Sequence, residues 1–385
     1  MKKYLLLLIC IVVFNQGFSQ NGTNLYAGIE IGSKGVKLSV VALEVNLNRS
    51  FTYSVHADTA INTEIISFTP SAISESANAA ILLYNKATEF YKIPDRQIVM
   101  VFSSGVIEQS KLTRNTDKVE EVKSLILSQI KNKKKAIVFL TPDVESRLVN
   151  LGTINREDRH RGAVVIDVGS GSTKGGYFDN LSTNNLKFID FNFNWGTAKI
   201  KGVVNNKQPE SITSYSLLVN QLVESFRSDA IMGSFNRNVG IRNQPSMIMG
   251  GGISWVIATL MHPDKIQKAF IELNIKDVRD FRRYVLNNYE DFISDSRAKS
   301  PEALIEFGKV KNNFDQKSMI AGSALVEAIM QDLNSSSPVK HFYFARYCSW
   351  LTGYIVKIKS GEDDIIPAPS LPTTSPMTGG DNKKN

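Results

Sequence analysis

Short apolar stretches closed by Gly/Ser turns alternate along the chain with longer mixed stretches of helical character. Tyr26 to Ile31 and Val36 to Leu43 are predicted as strands, and the tight turn Gly32-Ser33-Lys34-Gly35 makes them an antiparallel hairpin. A helix is expected over Ala77 to Tyr91, a strand over Gln97 to Ser103, a helix over Lys118 to Asn132 and a strand over Ala136 to Leu140. Helices interleaved with strands in this way indicate an α/β layer.

The run Asn155 to Arg161 contains no apolar residue, so it cannot enter a core and ends the first unit. Ala163 to Val168, the turn Gly169-Ser170-Gly171-Ser172 and Thr173 to Phe178 then repeat the opening strand, turn and strand. This echo is the main architectural signal, and it predicts two related units. Helices are expected at 211–228, 263–272 and 276–291, and an apolar stretch from Ser246 to Ile248 leads into Met249-Gly250-Gly251-Gly252. A helix over Gln316 to Asp332 precedes a last apolar stretch, Phe342 to Lys359. The expected organisation is one unit over 21–152, joined by 341–359, a second over 161–340, and a flexible tail over 360–385.

Composition removes several classes. At 385 residues and 42% hydrophobic, the chain can bury two ordinary cores without disulfide staples and is neither fibrous nor disordered. Residues 1–20 have a basic start, an apolar run from Tyr4 to Phe14 and small residues before a cut, the pattern of a cleaved export signal. That run is roughly half of a membrane span, so the expectation is an exported protein, periplasmic or extracellular, without stable membrane insertion. Cleavage would remove Cys10, leaving only Cys348, and would lower the formal charge from +8 to +6. The remaining excess suits an anionic ligand and falls short of a surface for duplex nucleic acid. Lys131, Lys133, Lys134 and Lys135 cluster before a strand, as a solvated helix C-terminus would.

Both turns have the composition of an anion cradle. Glycines and serines let backbone N–H groups and hydroxyls converge on one point, and a carboxylate precedes each turn at the same offset, Glu30 before Gly32 and Asp167 before Gly169. Two such turns facing each other would hold a phosphate chain and Mg²⁺ between two domains; either alone is also an ordinary hairpin closure. Between them Thr141-Pro142-Asp143-Val144-Glu145-Ser146-Arg147-Leu148 follows a strand, which places a carboxylate able to act on water, or simply starts a helix. The glycines around Gly251 suit a phosphate chain or a strand-to-helix turn. His56, His160, His262 and His341 are scattered, and no P-loop or Gly-x-Ser-x-Gly elbow occurs, which argues against zinc, P-loop and serine-hydrolase chemistry.

Taken together, the two hairpins, the Glu145-Ser146-Arg147-Leu148 segment and the Met249 to Gly252 turn resemble the exopolyphosphatase and guanosine pentaphosphatase (Ppx/GppA) family, within the wider actin, sugar kinase and chaperone ATPase fold. The resemblance spans about 25–358. It implies two ribonuclease-H-like domains around an interdomain cleft, and Mg²⁺-dependent hydrolysis of terminal phosphates. It places Gly32, Ser33 and Lys34 on the first phosphate turn and Gly169, Ser170, Gly171, Ser172 and Thr173 on the second, with Ser104 and Gly251 beside them. Glu145 falls on the residue that handles water, and Glu30 and Asp167 fall on the metal side.

The departures are specific. The family usually has Asp at Glu30, Asn at Lys34, Ser at Gly35, Gly at Ser170 and Glu at Lys174, and Arg and Asn where this chain has Ile107 and Lys111. Lys34, Lys111 and Lys174 supply point charges where those contacts are lost, without the planar fork of Arg. The expected function is hydrolysis of polyphosphate or a related phosphorylated anion; the alternative is a protein of the same fold that binds such an anion, or an envelope partner, without turnover. A homodimer is compatible with either.

Overall fold

The computed structural model describes residues 25–45, 51–154, 162–179, 187–346 and 348–360. Residues 1–20, expected as an export signal, the connection Asn155 to Arg161 and residues 361–385 of the tail lie outside these residues.

The first unit is built on a five-stranded sheet of order β3-β2-β1-β4-β5, formed by Leu25–Gly32 (β1), Gly35–Val45 (β2), Phe51–Asn62 (β3), Ile98–Phe102 (β4) and Ile137–Phe139 (β5). The first three strands run antiparallel, and β4 and β5 add in parallel beside β1. The second sheet has six strands in the order β10-β11-β9-β6-β7-β8: Ala163–Val168 (β6), Thr173–Asp179 (β7), Lys187–Phe193 (β8), Ser246–Gly250 (β9), Phe270–Leu273 (β10) and His341–Ala345 (β11). Here too an antiparallel meander, β6 to β8, is extended by parallel strands, β9 and β11. The second sheet therefore repeats the first, with β10 added at its edge. The repeated hairpins predict this doubling, and two such sheets are what the resemblance implies.

Helices Pro70–Asn85 (α1), Ser104–Leu112 (α2) and Thr116–Gln129 (α3) cover the outer face of the first sheet. Thr197–Asn205 (α5), Ile212–Phe226 (α6), Gly252–Met261 (α7), Ile275–Asn287 (α8), Pro301–Asn313 (α9) and Gln316–Asn334 (α10) cover that of the second. Two helices fill the seam between the sheets, Pro142–Thr153 (α4) and Trp350–Ser360 (α11). They exchange sheets. α4 leaves β5 of the first sheet and packs on β6, β7 and β8 of the second, and α11 leaves β11 of the second and packs on β1 of the first. They cross where a Cβ on Gly353 would lie 1.7 Å from the Leu148 carbonyl oxygen, so only glycine fits. Among the described residues no helix is long and apolar enough to cross a membrane.

Three sequence expectations change. The stretch 263–272 is not a helix: a short turn at Pro263–Lys265 is followed by β10, whose residues alternate exposed and buried as a half-buried edge strand requires. The join of 341–359 to the first unit divides, since β11 is hydrogen-bonded inside the second sheet while α11 packs against β1. The first helix begins at Pro70, well before Ala77, because the Thr69 hydroxyl accepts from the Ala72 N–H and Pro70 takes the first helical position.

Candidate active site

Side chains alternate across a strand, so β1 sends Ala27, Ile29 and Ile31 into the outer core and turns Tyr26, Gly28 and Glu30 toward the seam. β6 does the same with Val164, Ile166 and Val168 outward and Val165 inward, so Asp167 shares the inward face. The antiparallel register then sets Lys37 opposite Glu30 and Lys174 opposite Asp167. The fold thus builds one cross-strand pair of carboxylate and lysine twice, at the seam ends of both domains.

Glu145 comes from the first turn of α4, where Thr141 is the N-cap and Pro142 the first helical residue. One of its oxygens lies 2.6 Å from Lys174 Nζ, and the other accepts the backbone N–H of Ser104 at 3.2 Å. Lys174 also donates to Ser104 Oγ at 3.2 Å and stands 3.9 Å from an Asp167 oxygen. Glu145 and Lys174 are each only 6% exposed. Burial alone would raise the Glu145 pKa, but the Lys174 charge and the Ser104 donor outweigh it and hold the carboxyl below its usual range. Lys174 is driven the other way: burial opposes its charge, and Glu145 and Asp167 overcome that and keep it protonated. Burial pushes the Asp167 carboxyl up, against the pull of Lys174. The centre of the seam is therefore a fixed ammonium between acidic side chains from two elements, α4 and β6.

The turns flank this centre. The Ser103-Ser104-Gly105 loop packs on the first turn, where a Cβ at Gly105 would be 3.0 Å from Ser33 Oγ. In the second turn the Gly169 carbonyl accepts from Thr197 at 3.0 Å and the Ser170 carbonyl accepts from Ala198 at 2.8 Å. Its carbonyls thus cap the start of α5. Gly171 is open, with nothing within 4 Å of where a Cβ would stand. Thr173, expected to hold phosphate, gives its hydroxyl to the Trp195 carbonyl at 2.9 Å and is a buried structural residue. Gly251 caps α7 at φ 86°, a conformation that favours glycine, and a side chain there would strike the Val168 carbonyl. Lys34 on the first turn reaches the other domain: its ammonium pKa is lowered by burial and by Lys201 of α5, with Asp315 opposing. Lys201 is tied to Asp315 at 2.5 Å and to Ser318 at 3.2 Å.

Glu30, Ser33, Lys34, Ser104, Glu145, Asp167, the second turn and Gly251 thus belong to one locale. Glu108 of α2 was not foreseen; it takes a 3.4 Å hydrogen bond from Asn192 of β8, and burial raises its pKa. Trp350 was not foreseen either, though its indole N–H donates to Glu30 at 2.7 Å. These contacts join residues remote in sequence, and no local pattern announces them.

The expected Mg²⁺ site does not fit the residues as arranged. One Glu30 oxygen is held by Trp350, and Lys174 occupies the space beside Asp167 and Glu145 that a cation would take. Among the described residues no group of three or more His, Cys, Asp or Glu is placed to hold a metal ion.

Several solved structures resemble this fold over most of the chain. A Ppx/GppA family member from Aquifex aeolicus superimposes with a TM-score of 0.58 at 13% identity, over 88% of this chain and 98% of that one. An exopolyphosphatase from Cytophaga hutchinsonii gives 0.57 at 9% identity over 88% and 98%. An exopolyphosphatase-like protein gives 0.60 at 14% over 87% and 97%. The fold is the Ppx/GppA fold. The likeness covers both domains, so the Ppx/GppA neighbours share the whole architecture rather than one sheet. No protein-family model matches the chain. No curated protein matches it either.

Proposed function

We propose that the seam binds the terminal phosphate of polyphosphate, or of a closely related phosphorylated anion, and hydrolyses its last anhydride bond. The observation that carries this reading is the convergence, on the buried Glu145–Lys174 pair, of the Ser33 and Ser104 loops from one domain and the Gly169 to Ser172 turn from the other. Exopolyphosphatases among the structural neighbours support the substrate class.

In this reading turn N–H groups, Lys34 and Lys174 bind the phosphate oxygens, and Glu145 uses its remaining lone pairs to orient a water in line with the bridging oxygen. The water oxygen bonds to phosphorus, the bridging P–O bond breaks with its electron pair going to the terminal oxygen of the shortened polymer, one water proton passes to the phosphate oxygens or to solvent, and orthophosphate leaves. A loose phosphoryl transition state asks for position and charge more than for a strong base, which suits a carboxylate held at low pKa. The same pair favours a second reading, binding without turnover, because both Glu145 oxygens already have partners.

Orthophosphate release from polyphosphate by the purified chain separates the two. Release that disappears in Glu145→Gln, with polyphosphate binding retained, supports hydrolysis; saturable binding without release supports the second reading, and neither binding nor release defeats both. With this reading goes the proposal that residues 1–20 are an export signal. N-terminal sequencing of fractionated cells should give a start near Gln20 or Asn21, and an intact Met1 in the cytosol would return nucleotide substrates such as guanosine pentaphosphate to the foreground.

A further inference from the structure

The position where a divalent cation was expected holds a side chain of the protein. Lys174 Nζ lies 2.6 Å from Glu145, 3.9 Å from Asp167 and 3.2 Å from Ser104 Oγ, so one ammonium contacts both carboxylates and the phosphate loop. It is not a surface lysine that has strayed. Its backbone is fixed opposite Asp167 by the β6–β7 register, and its side chain is buried. Glu30 is not waiting for a metal either, since Trp350 donates to it. The hairpin repeat supplies a second cation of the same origin, Lys37 opposite Glu30, which is exposed at the cleft.

We propose that Lys174 stands in for the divalent cation: it is the resident counter-charge of Glu145 and Asp167, and phosphate anions bind this seam without metal. The charge argument is direct. Two neighbouring carboxylates repel a phosphate unless a cation lies between them and it, and a covalently held ammonium meets that need at any metal concentration. An ammonium carries one charge and three directed donors, where a metal carries two charges and an open coordination shell. Lys174 thus compensates less charge than Mg²⁺, and Lys34 and Lys37 provide the balance. The phosphate part of this inference rests on the function proposed above, whereas the cation part does not.

Two measurements on the purified full-length chain test it. Titration with Mn²⁺ followed by electron paramagnetic resonance should show no tight site in the wild type, and Lys174→Glu should gain one bound Mn²⁺. A wild-type site that disappears in Asp167→Asn overturns the proposal, as does a folded Lys174→Glu variant that gains no metal. The wild-type titration decides even if Lys174→Glu fails to fold. Polyphosphate binding should then differ less than twofold between EDTA and excess Mg²⁺, and should fall tenfold or more in Lys174→Met. Binding abolished by EDTA overturns the proposal. Absence of binding in both buffers defeats the proposed function instead, and the Mn²⁺ titration still decides the role of Lys174.

Discussion

A carboxylate whose oxygens are engaged by a backbone N–H and a buried ammonium is well anchored and weakly basic, and Glu145 is such a group. Removing its charge alone strands Lys174, so Glu145→Gln should cost about 3 kcal/mol in urea unfolding, and Lys174→Met added to it should restore much of that loss. Cys348 lies beside this centre, and its thiol is pushed up to about 12, by burial first and by Asp167 second. The thiol therefore stays protonated at pH 8, and peptide mapping after iodoacetamide should find Cys348 unmodified in the native protein and modified once unfolded. Asp95 gives a pH test away from the site. Burial would raise its pKa, but hydrogen bonds from Tyr84, Asn132 and Lys135 prevail and lower it. A folded pKa below the unfolded one means the stabilisation is present above about pH 4 and is lost as pH falls through the folded value. Asp95→Asn should therefore destabilise by roughly 1–2 kcal/mol at pH 7, with the gap from wild type closing in acid. The same contact accounts for one member of the lysine cluster: Lys135 is buried against Asp95, while Lys133 caps the Ser128 carbonyl at the end of α3.

At the scale of elements, the crossing of α4 and α11 decides whether the seam can form. An added methyl at Gly353 has nowhere to go against Leu148, and Gly28 on β1 is similarly filled by Leu351. Gly353→Ala should destabilise by about 3 kcal/mol through overpacking, measurable by thermal unfolding. The second turn gives the opposite forecast. Because nothing stands near Gly171, Gly171→Val should fold with close to wild-type stability and yet bind polyphosphate more weakly, as its branched side chain occupies ligand space. Unchanged affinity in that folded variant would leave the turn a purely structural element. The element most easily misread was β10, because Phe270, Ile271 and Leu273 also occur in helices, and only pairing with β11 makes their alternation decisive.

At the scale of the whole molecule, each domain lends a helix to the other's sheet, so neither closes its inner face alone. The protein should melt in one cooperative calorimetric transition. A chain ending at Arg346 keeps β11 but loses Trp350, Leu351 and Ile355 from the seam, and should lose stability in both domains at once rather than in the first alone. Two separate transitions in the intact chain would show that the exchanged helices do not couple the sheets.

Local pattern alone determined the two hairpins, their Gly/Ser turns and the repeated offset of Glu30 and Asp167, because each depends on residues a few positions apart, and it narrowed a helix start to Thr141 or Asp143. Periodicity also carried the α/β class and the doubling of the fold. Contacts between distant segments had to come from the tertiary structure. Trp350 reaches Glu30 from the far end of the chain, Asn192 reaches Glu108 across the seam, and β11 and α11 part company between the two domains. Lys174 shows the difference most clearly. Its sequence position marked it as a departure, but whether it would point at phosphate, solvent or a carboxylate was set by the packing of α4 on β7, which brings Glu145 within 2.6 Å of it and turns an expected metal site into a buried ion pair.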